Sequence, residues 1–225
     1  LTNNLNAPTY GHVDPAFVAL ARTWMQNPAH QLVGLLWQAY EAMNRSAPTV
    51  DGRDLERSIT QLLVPRISDA MTGDEPFYPI HGPFERETMK AQPAQPPEYD
   101  IAFVLRADER IMWPIEAKVL ETPKAVAAYI KDVRDEFLTC RYAPFSNSGA
   151  MIGYLLSGTE DAAFDKIAEK LSCVLEPLVE HPGRPNRRSQ HIRAVPTGKS
   201  YPVEFGCYHI IFAYRDLKRI PVGMS

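Results

Sequence analysis

The sequence predicts an α/β domain, a mixed central sheet flanked by helices with a helical extension at its N-terminus. Three observations carry this. "GAMIGYLLSG" (149–158) is an apolar run between glycines, the pattern of a strand covered on both faces. "PEYDIAFVLRADERIMWPIEAKVL" (97–120) reads as two neighbouring strands joined by the short turn "ADER". From residue 51 the elements run helix, three strands, helix, strand, helix, strand, an order that places helices on a sheet.

Bulk properties narrow the class. With 225 residues, 45% hydrophobic and 23% charged, the chain can bury a core without disulfides. A net charge of −3 excludes the global basic signature of a histone-like binder, so any nucleic-acid contact must come from a local patch. Cys140, Cys173 and Cys207 form no CxxC pair, which argues for reduced thiols in a cytoplasmic setting and against a zinc ribbon. Cys207 and His209 read as part of an apolar strand, not as metal ligands. No run approaches the roughly 20 apolar residues of a membrane span, and no basic-then-apolar leader opens the chain. A cytoplasmic protein with no membrane partner is expected.

Residues 1–50 read as the extension and 51–225 as the main domain. After an irregular arm, Asp14 and Pro15 cap a helix running to about Gln26. A second helix follows Pro28, with Leu32, Leu35, Leu36, Ala39 and Met43 at helical spacing. Trp24, Trp37 and Tyr40 suit a docking surface for a second copy or a regulatory protein.

"DGRDLERSITQLLVPRISDAM" (51–71) is the next helix, with Pro65 expected to bend or interrupt it. "PFYPIHGPF" (76–84) has the aromatic, proline-punctuated character of an edge strand, and "KAQPAQPPE" (90–98) is a loop. "TPKAVAAYIKDVRDEFLTCRY" (122–142) and "DAAFDKIAEKLSCVLEPLVE" (161–180) are amphipathic helices, the first buried through Val126, Ile130, Val133 and Phe137. "GRPNRRSQHIR" (183–193) is a basic loop and "GCYHIIFAYR" (206–215) a final strand. Pro114 within the second strand of the 97–120 pair suggests an edge or a bulge.

The chemistry lies in that pair. Ionised groups are costly in apolar strands, yet Asp100 opens the first strand, and Glu116 and Lys118 are the only charges in "IMWPIEAKVL". Alternation puts Asp100 on one side with Ala102 and Val104, and turns Glu116 and Lys118 the same way as each other. A hairpin of suitable register would bring all three together. Two carboxylates that close repel, and one normally keeps its proton. A hard divalent cation such as Mg²⁺ removes that penalty, and a nearby ammonium can orient water or steady charge developing on phosphorus. The bland alternative is a surface ion pair worth at most about 1 kcal/mol.

The pattern D-x(15)-E-x-K over two adjacent strands, preceded by a helix and followed by a helix and a strand, resembles the PD-(D/E)xK nuclease superfamily. The resemblance covers residues 51–157 in element order, with Tyr99 in place of the Pro that precedes the first acid. It implies a restriction-endonuclease-like fold and metal-dependent cleavage of phosphodiester bonds, with DNA the expected substrate. Asp100 and Glu116 would hold Mg²⁺, or Mn²⁺ as a substitute, helped by the carbonyl of Ala117 and by Glu56 from the preceding helix. Lys118 would position or activate the water. Looser similarity over "YIKDVRDEFLTCRY" and "YHIIFAYR" resembles small nuclease-like proteins of prokaryotic antiviral defence, implying an effector held in check by a partner.

Phosphate contacts are expected from Lys131 and Arg134 on the helix after the motif, and from Arg184, Arg187, Arg188 and Arg193, since the guanidinium fork suits phosphate. Acids at 132, 135 and 136 could instead pair with the first two along a solvated helix face. Two other classes compete. One is a catalytically inactive nuclease fold kept as a nucleic-acid- or protein-binding subunit. The other is a Cys/His hydrolase, for which Cys140 lacks any nucleophile signature.

Overall fold

The computed structural model describes Pro15, residues 28–88 and residues 96–220. The expected helix up to Gln26, Pro15 apart, lies outside them, as do Trp24 and most of the 90–98 loop. Along the described chain come α1 (Ala29–Ser46), β1 (Thr49–Asp51), α2 (Leu55–Asp69), β2 (Phe77–His81), β3 (Ile101–Leu105) and β4 (Met112–Leu120). Then follow α3 (Ala127–Asp132), a π-helical turn (Val133–Phe137), β5 (Ser148–Leu155), α4 (Glu160–Leu171), β6 (Glu176–Pro177), β7 (Asn186–Ile192), β8 (Glu204–Ala213) and β9 (Lys218–Ile220).

Seven strands form one mixed sheet in the order β2-β3-β4-β5-β8-β7-β6, and β1 pairs with β9 in a separate parallel ribbon. β4, β5 and β8 are parallel to one another; the outer pairs are antiparallel. Parallel strands must be covered on both faces, and the composition of the strands meets that need. Ile101, Phe103, Trp113, Ile115, Ile152, Ile210 and Phe212 face α1 and α2, in one core with Leu32, Leu36, Ile59 and Leu63. Ala102, Val104, Met151, Leu155, Phe205 and Ile211 face α3 and α4, with Tyr129, Val133, Phe164 and Ile167.

Several elements depart from the sequence reading. α2 runs through Pro65 unbroken. α3 begins only at Ala127, after a turn in which Ala125 donates to the carbonyl of Thr122. It then widens to π spacing, Leu138 donating to the carbonyl of Val133. α4 ends at Leu171 because Ser172 turns left-handed at φ 55°, so Leu175 and Leu178 reach the core from extended chain. The expected basic loop contains β7, seven residues paired along β8 from Asn186↔Ile210 to Ile192↔Glu204. Pro114 sits in a central strand, not at an edge. It precedes Ile115, the first β4 residue in the β5 ladder, so its missing N–H removes no bond from that ladder.

Trp37 and Tyr40 are turned inward. Trp37 is buried, and Tyr40 stacks on Phe212 with 4.3 Å between ring centroids and donates to the carbonyl of Ala213 at 2.8 Å. Their aromatic area holds α1 to the sheet. Among the described residues, no helix is long and apolar enough to cross a membrane.

Candidate active site

The site grows from a mismatch in strand length. β3 and β4 pair from Val104↔Met112 back to Ile101↔Ile115, where β3 begins; β4 continues to Leu120. Beyond Ile115 its outward N–H groups have no strand partner, and an unpaired buried N–H is costly. Side-chain carboxylates take the place of the missing strand. Asp100 Oδ2 accepts the N–H of Ala117 at 2.8 Å, and Glu56 Oε2 accepts that of Val119 at 3.2 Å. Glu56 can do so because it lies in the first turn of α2, whose N-terminus Asp54 caps by accepting the N–H of Arg57.

The register puts Asp100 beside Glu116, whose Oε1 accepts the N–H of Asp100 at 3.3 Å. Lys118, two residues on and on the same face, extends its ammonium into the gap between them. Its Nζ lies 3.1 Å from Glu56 Oε1, 3.2 Å from Asp132 Oδ2, 3.5 Å from Glu116 Oε2 and 3.7 Å from Asp100 Oδ2. It also donates to the carbonyl of Ala117 at 2.8 Å. The structure thus gathers Asp100, Glu116, Lys118, Ala117 and Glu56 around one point.

Electrostatics follow from burial and crowding. Glu116 is 4% exposed. Burial, then repulsion from Asp100, pushes its carboxyl well above the usual range against the pull of Lys118. Burial raises Glu56 also, opposed by Lys118. Burial works against the charge on Lys118, but Glu116, Asp100, Glu56 and Asp132 together overcome it and hold the amine more basic than a free lysine. Lys118 is therefore an ammonium, a donor and a positive charge rather than a base.

Asp132 did not stand out in the sequence. It is one of three acids that stand with two basic residues between positions 131 and 136 of a helix that reads as charged on every turn. Only the packing of α3 against β4 singles it out, where the π-helical turn begins; such turns recur at functional positions. Tyr142 is another neighbour. Burial and then the charges of Glu116, Glu136, Asp132 and Asp100 hold its phenol protonated far above the ordinary range, and it donates to the carbonyl of Glu98 at 2.9 Å.

The donors fit a hard divalent cation in kind, being carboxylate oxygens and one carbonyl, with four carboxylates set against one ammonium. In the present arrangement that ammonium occupies their point of convergence, and among the described residues no three of His, Cys, Asp or Glu stand in a ligating group.

The expected phosphate contacts are scattered. Lys131 is exposed and pairs with Asp135 at 3.3 Å, and Arg134 donates to the carbonyl of Lys170. Arg184 pairs with Glu41 and lies over Trp37. Arg187 lies over Phe164 and pairs with Asp161 at 3.3 Å; Arg188 lies over Tyr208. Pairing across the sheet runs Glu116, Met151, His209, Arg187. Arg187 thus shares the face of Glu116, about 15 Å away at three strand spacings, while Arg188 takes the opposite face. Arg193 corrects the surface expectation. It is 4% exposed and makes five hydrogen bonds of 2.7–3.0 Å to the carbonyls of Phe137, Tyr142, Ala143 and Ser146.

Comparison with family models, with curated proteins and with solved structures finds no match to this chain.

Proposed function

We propose that this protein is a metal-dependent nuclease of the PD-(D/E)xK kind, with a restriction-endonuclease-like core, hydrolysing phosphodiester bonds of DNA. One observation carries the reading: Asp100, Glu116 and Lys118 converge where β4 outruns β3, in apolar surroundings that make a purely structural cluster of charges costly. Asp100, Glu116 and the carbonyl of Ala117 would hold Mg²⁺ or Mn²⁺. The ion supplies charge for the phosphoryl oxygens and lowers the pKa of bound water. With an ion held by those carboxylates, Lys118 would donate from Nζ to the attacking water or the phosphoryl oxygen. Glu56 and Asp132 set where that ammonium rests. Lys131, exposed and next to Asp132, is the nearest of the expected phosphate contacts in the chain, and Arg134, Arg184, Arg187 and Arg188 would add to backbone binding. Antiviral defence under control of a partner is the setting that the looser similarity suggests.

A second reading has its own support. The ammonium at the point of convergence favours a binding module in which Lys118 permanently replaces the metal. Nicking of supercoiled plasmid, with Mg²⁺, Mn²⁺ and chelator lanes, tests the first reading. Cleavage that needs the metal and disappears in Lys118→Ala is expected. Absent cleavage together with no heat on calorimetric titration with Mn²⁺ would leave the binding module.

A further inference from the structure

Phe84 is the one aromatic ring among the large apolar side chains left exposed in the described residues, at 45%. It borders a pocket of about 270 Å³. Tyr78 and Ile80 of β2, Val104 of β3 and Met112 of β4 line that pocket from the sheet, and Arg86 and Glu109 stand at its rim. The space equals roughly nine water molecules at about 30 Å³ each, the scale of one flat ring system and too small for a helix or a strand.

Charge around the pocket is positive in balance. The Arg106 guanidinium lies 5.2 Å from the centroid of the Tyr78 ring, and Arg86, 66% exposed, is 3.7 Å from Glu109. Glu109 accepts from the Tyr78 hydroxyl at 2.9 Å. Arg110 and Asp108 on the neighbouring turn pair with each other, so two guanidiniums face one carboxylate. All three charges act on Tyr78: burial and then Glu109 raise its pKa, and Arg106 and Arg86 oppose the rise. Accessible rings flanked by guanidiniums are the means of holding a single nucleic-acid strand, the rings stacking on bases and the arginines meeting phosphates.

The pocket lies on the face of the sheet that carries the candidate active site. Val104 and Met112 pair across β3 and β4, and Asp100 and Glu116 stand four residues from them along the chain, on the same face. Four strand residues span about 13 Å, roughly four steps of duplex DNA at about 3.4 Å each. A base inside a duplex is stacked on both sides and reaches a pocket only by leaving the stack. We propose that this pocket takes one unpaired base of the substrate, stacked on Phe84 and Tyr78, with Arg86 and Arg106 on the adjoining phosphates. The substrate class is then single-stranded or locally unpaired DNA. The inference rests on the nuclease reading for its choice of nucleic acid as the occupant.

Fluorescence anisotropy of the full chain in chelator, where nothing is cut, compares a DNA single strand with the duplex of the same sequence. The single strand binds the native protein more tightly. Phe84→Ala weakens single-strand binding by roughly tenfold, within the range of one lost base–aromatic stack, and leaves duplex binding and the melting temperature unchanged. Phe84→Trp restores the single-strand affinity. Equal native affinity for the two forms overturns the inference. So does a Phe84→Ala variant that binds the single strand as well as the native protein does, or that loses affinity for both forms alike; the pocket would then be left to an apolar anchor of a protein partner. Plasmid nicking keeps the two readings apart. Metal-dependent nicking with equal affinities sinks this inference alone, whereas a single-strand preference that Phe84→Ala removes, without any nicking, sinks the nuclease reading alone.

Discussion

Asp100 Oδ2 accepts the N–H of Ala117 at 2.8 Å, two residues past the last residue of β4 that pairs with β3. One carboxylate thus stands in for a strand and faces Lys118 at the same time. The two roles can be separated. Asp100→Asn keeps an oxygen for the Ala117 N–H and should change stability by less than about 1 kcal/mol, while metal-dependent cleavage is lost. Asp100→Ala leaves that N–H unpaired and should cost about 1–3 kcal/mol. Urea unfolding of both variants beside a plasmid-nicking assay gives the comparison; equal destabilisation by both would deny Asp100 the strand role.

Among the described residues, Lys118 is the cation paired with all four carboxylates of the site, Glu56, Asp100, Glu116 and Asp132. Removing one member of a buried charged set typically costs about 3–5 kcal/mol. Lys118→Ala should therefore lower stability as well as abolish cleavage, more than a surface lysine would. If the carboxylates can hold a divalent ion, Mn²⁺ should raise the melting temperature of Lys118→Ala more than that of the native protein, and chelator should reverse it. A variant indifferent to Mn²⁺ would show that the acids serve the fold alone.

The elements legible in the sequence are those whose own residues carry the pattern. β5 announces itself because every residue is buried, and the helical spacing of Leu32, Leu36 and Met43 gives α1. β7 is hidden because its buried positions are Asn186 and Ser189, with two arginines between them. It becomes a strand by pairing with β8, a partner about twenty residues away that no local pattern reveals. The end of α4 is likewise hidden, because the apolar spacing continues through Leu175 while the backbone turns at Ser172. In the site, Asp100, Glu116 and Lys118 were legible as charges in apolar strands, and Glu56 by its place in the preceding helix. Asp132 was not, because the sequence around it is charged in every direction.

Arg193 donates to the backbone carbonyls of Phe137, Tyr142, Ala143 and Ser146 and so ties the end of β7 to the 137–146 segment. Arg193→Gln should destabilise the protein by at least about 2 kcal/mol, since several buried carbonyls lose a charged donor. It should leave the salt dependence of DNA binding unchanged. Arg187→Gln or Arg188→Gln should each lower the slope of log affinity against log salt by about one if that side chain meets a phosphate. Fluorescence anisotropy over a salt series separates the three. A slope change in Arg193→Gln with undiminished stability would return it to the DNA-binding set.

Glu85 gives a prediction about pH. It is 3% exposed, accepts from the hydroxyl of Tyr99 at 2.5 Å and from the N–H of Glu87 at 2.8 Å, and burial pushes its pKa up to about 7. In the unfolded chain the same carboxyl titrates near 4.5. Below that value both states are protonated and Glu85 has no effect on stability. Between 4.5 and about 7 the unfolded state loses the proton while the native state keeps it, so stability falls as pH rises. Above about 7 the native state ionises too and the loss levels off at about 3 kcal/mol, from the shift at about 1.4 kcal/mol per pKa unit. Glu85→Gln cannot ionise, so it should be more stable than the native protein at pH values above neutrality and no more stable at acid pH. Chemical unfolding of both proteins across this range measures the difference directly. Parallel curves would mean that Glu85 ionises equally easily in the folded and unfolded chains.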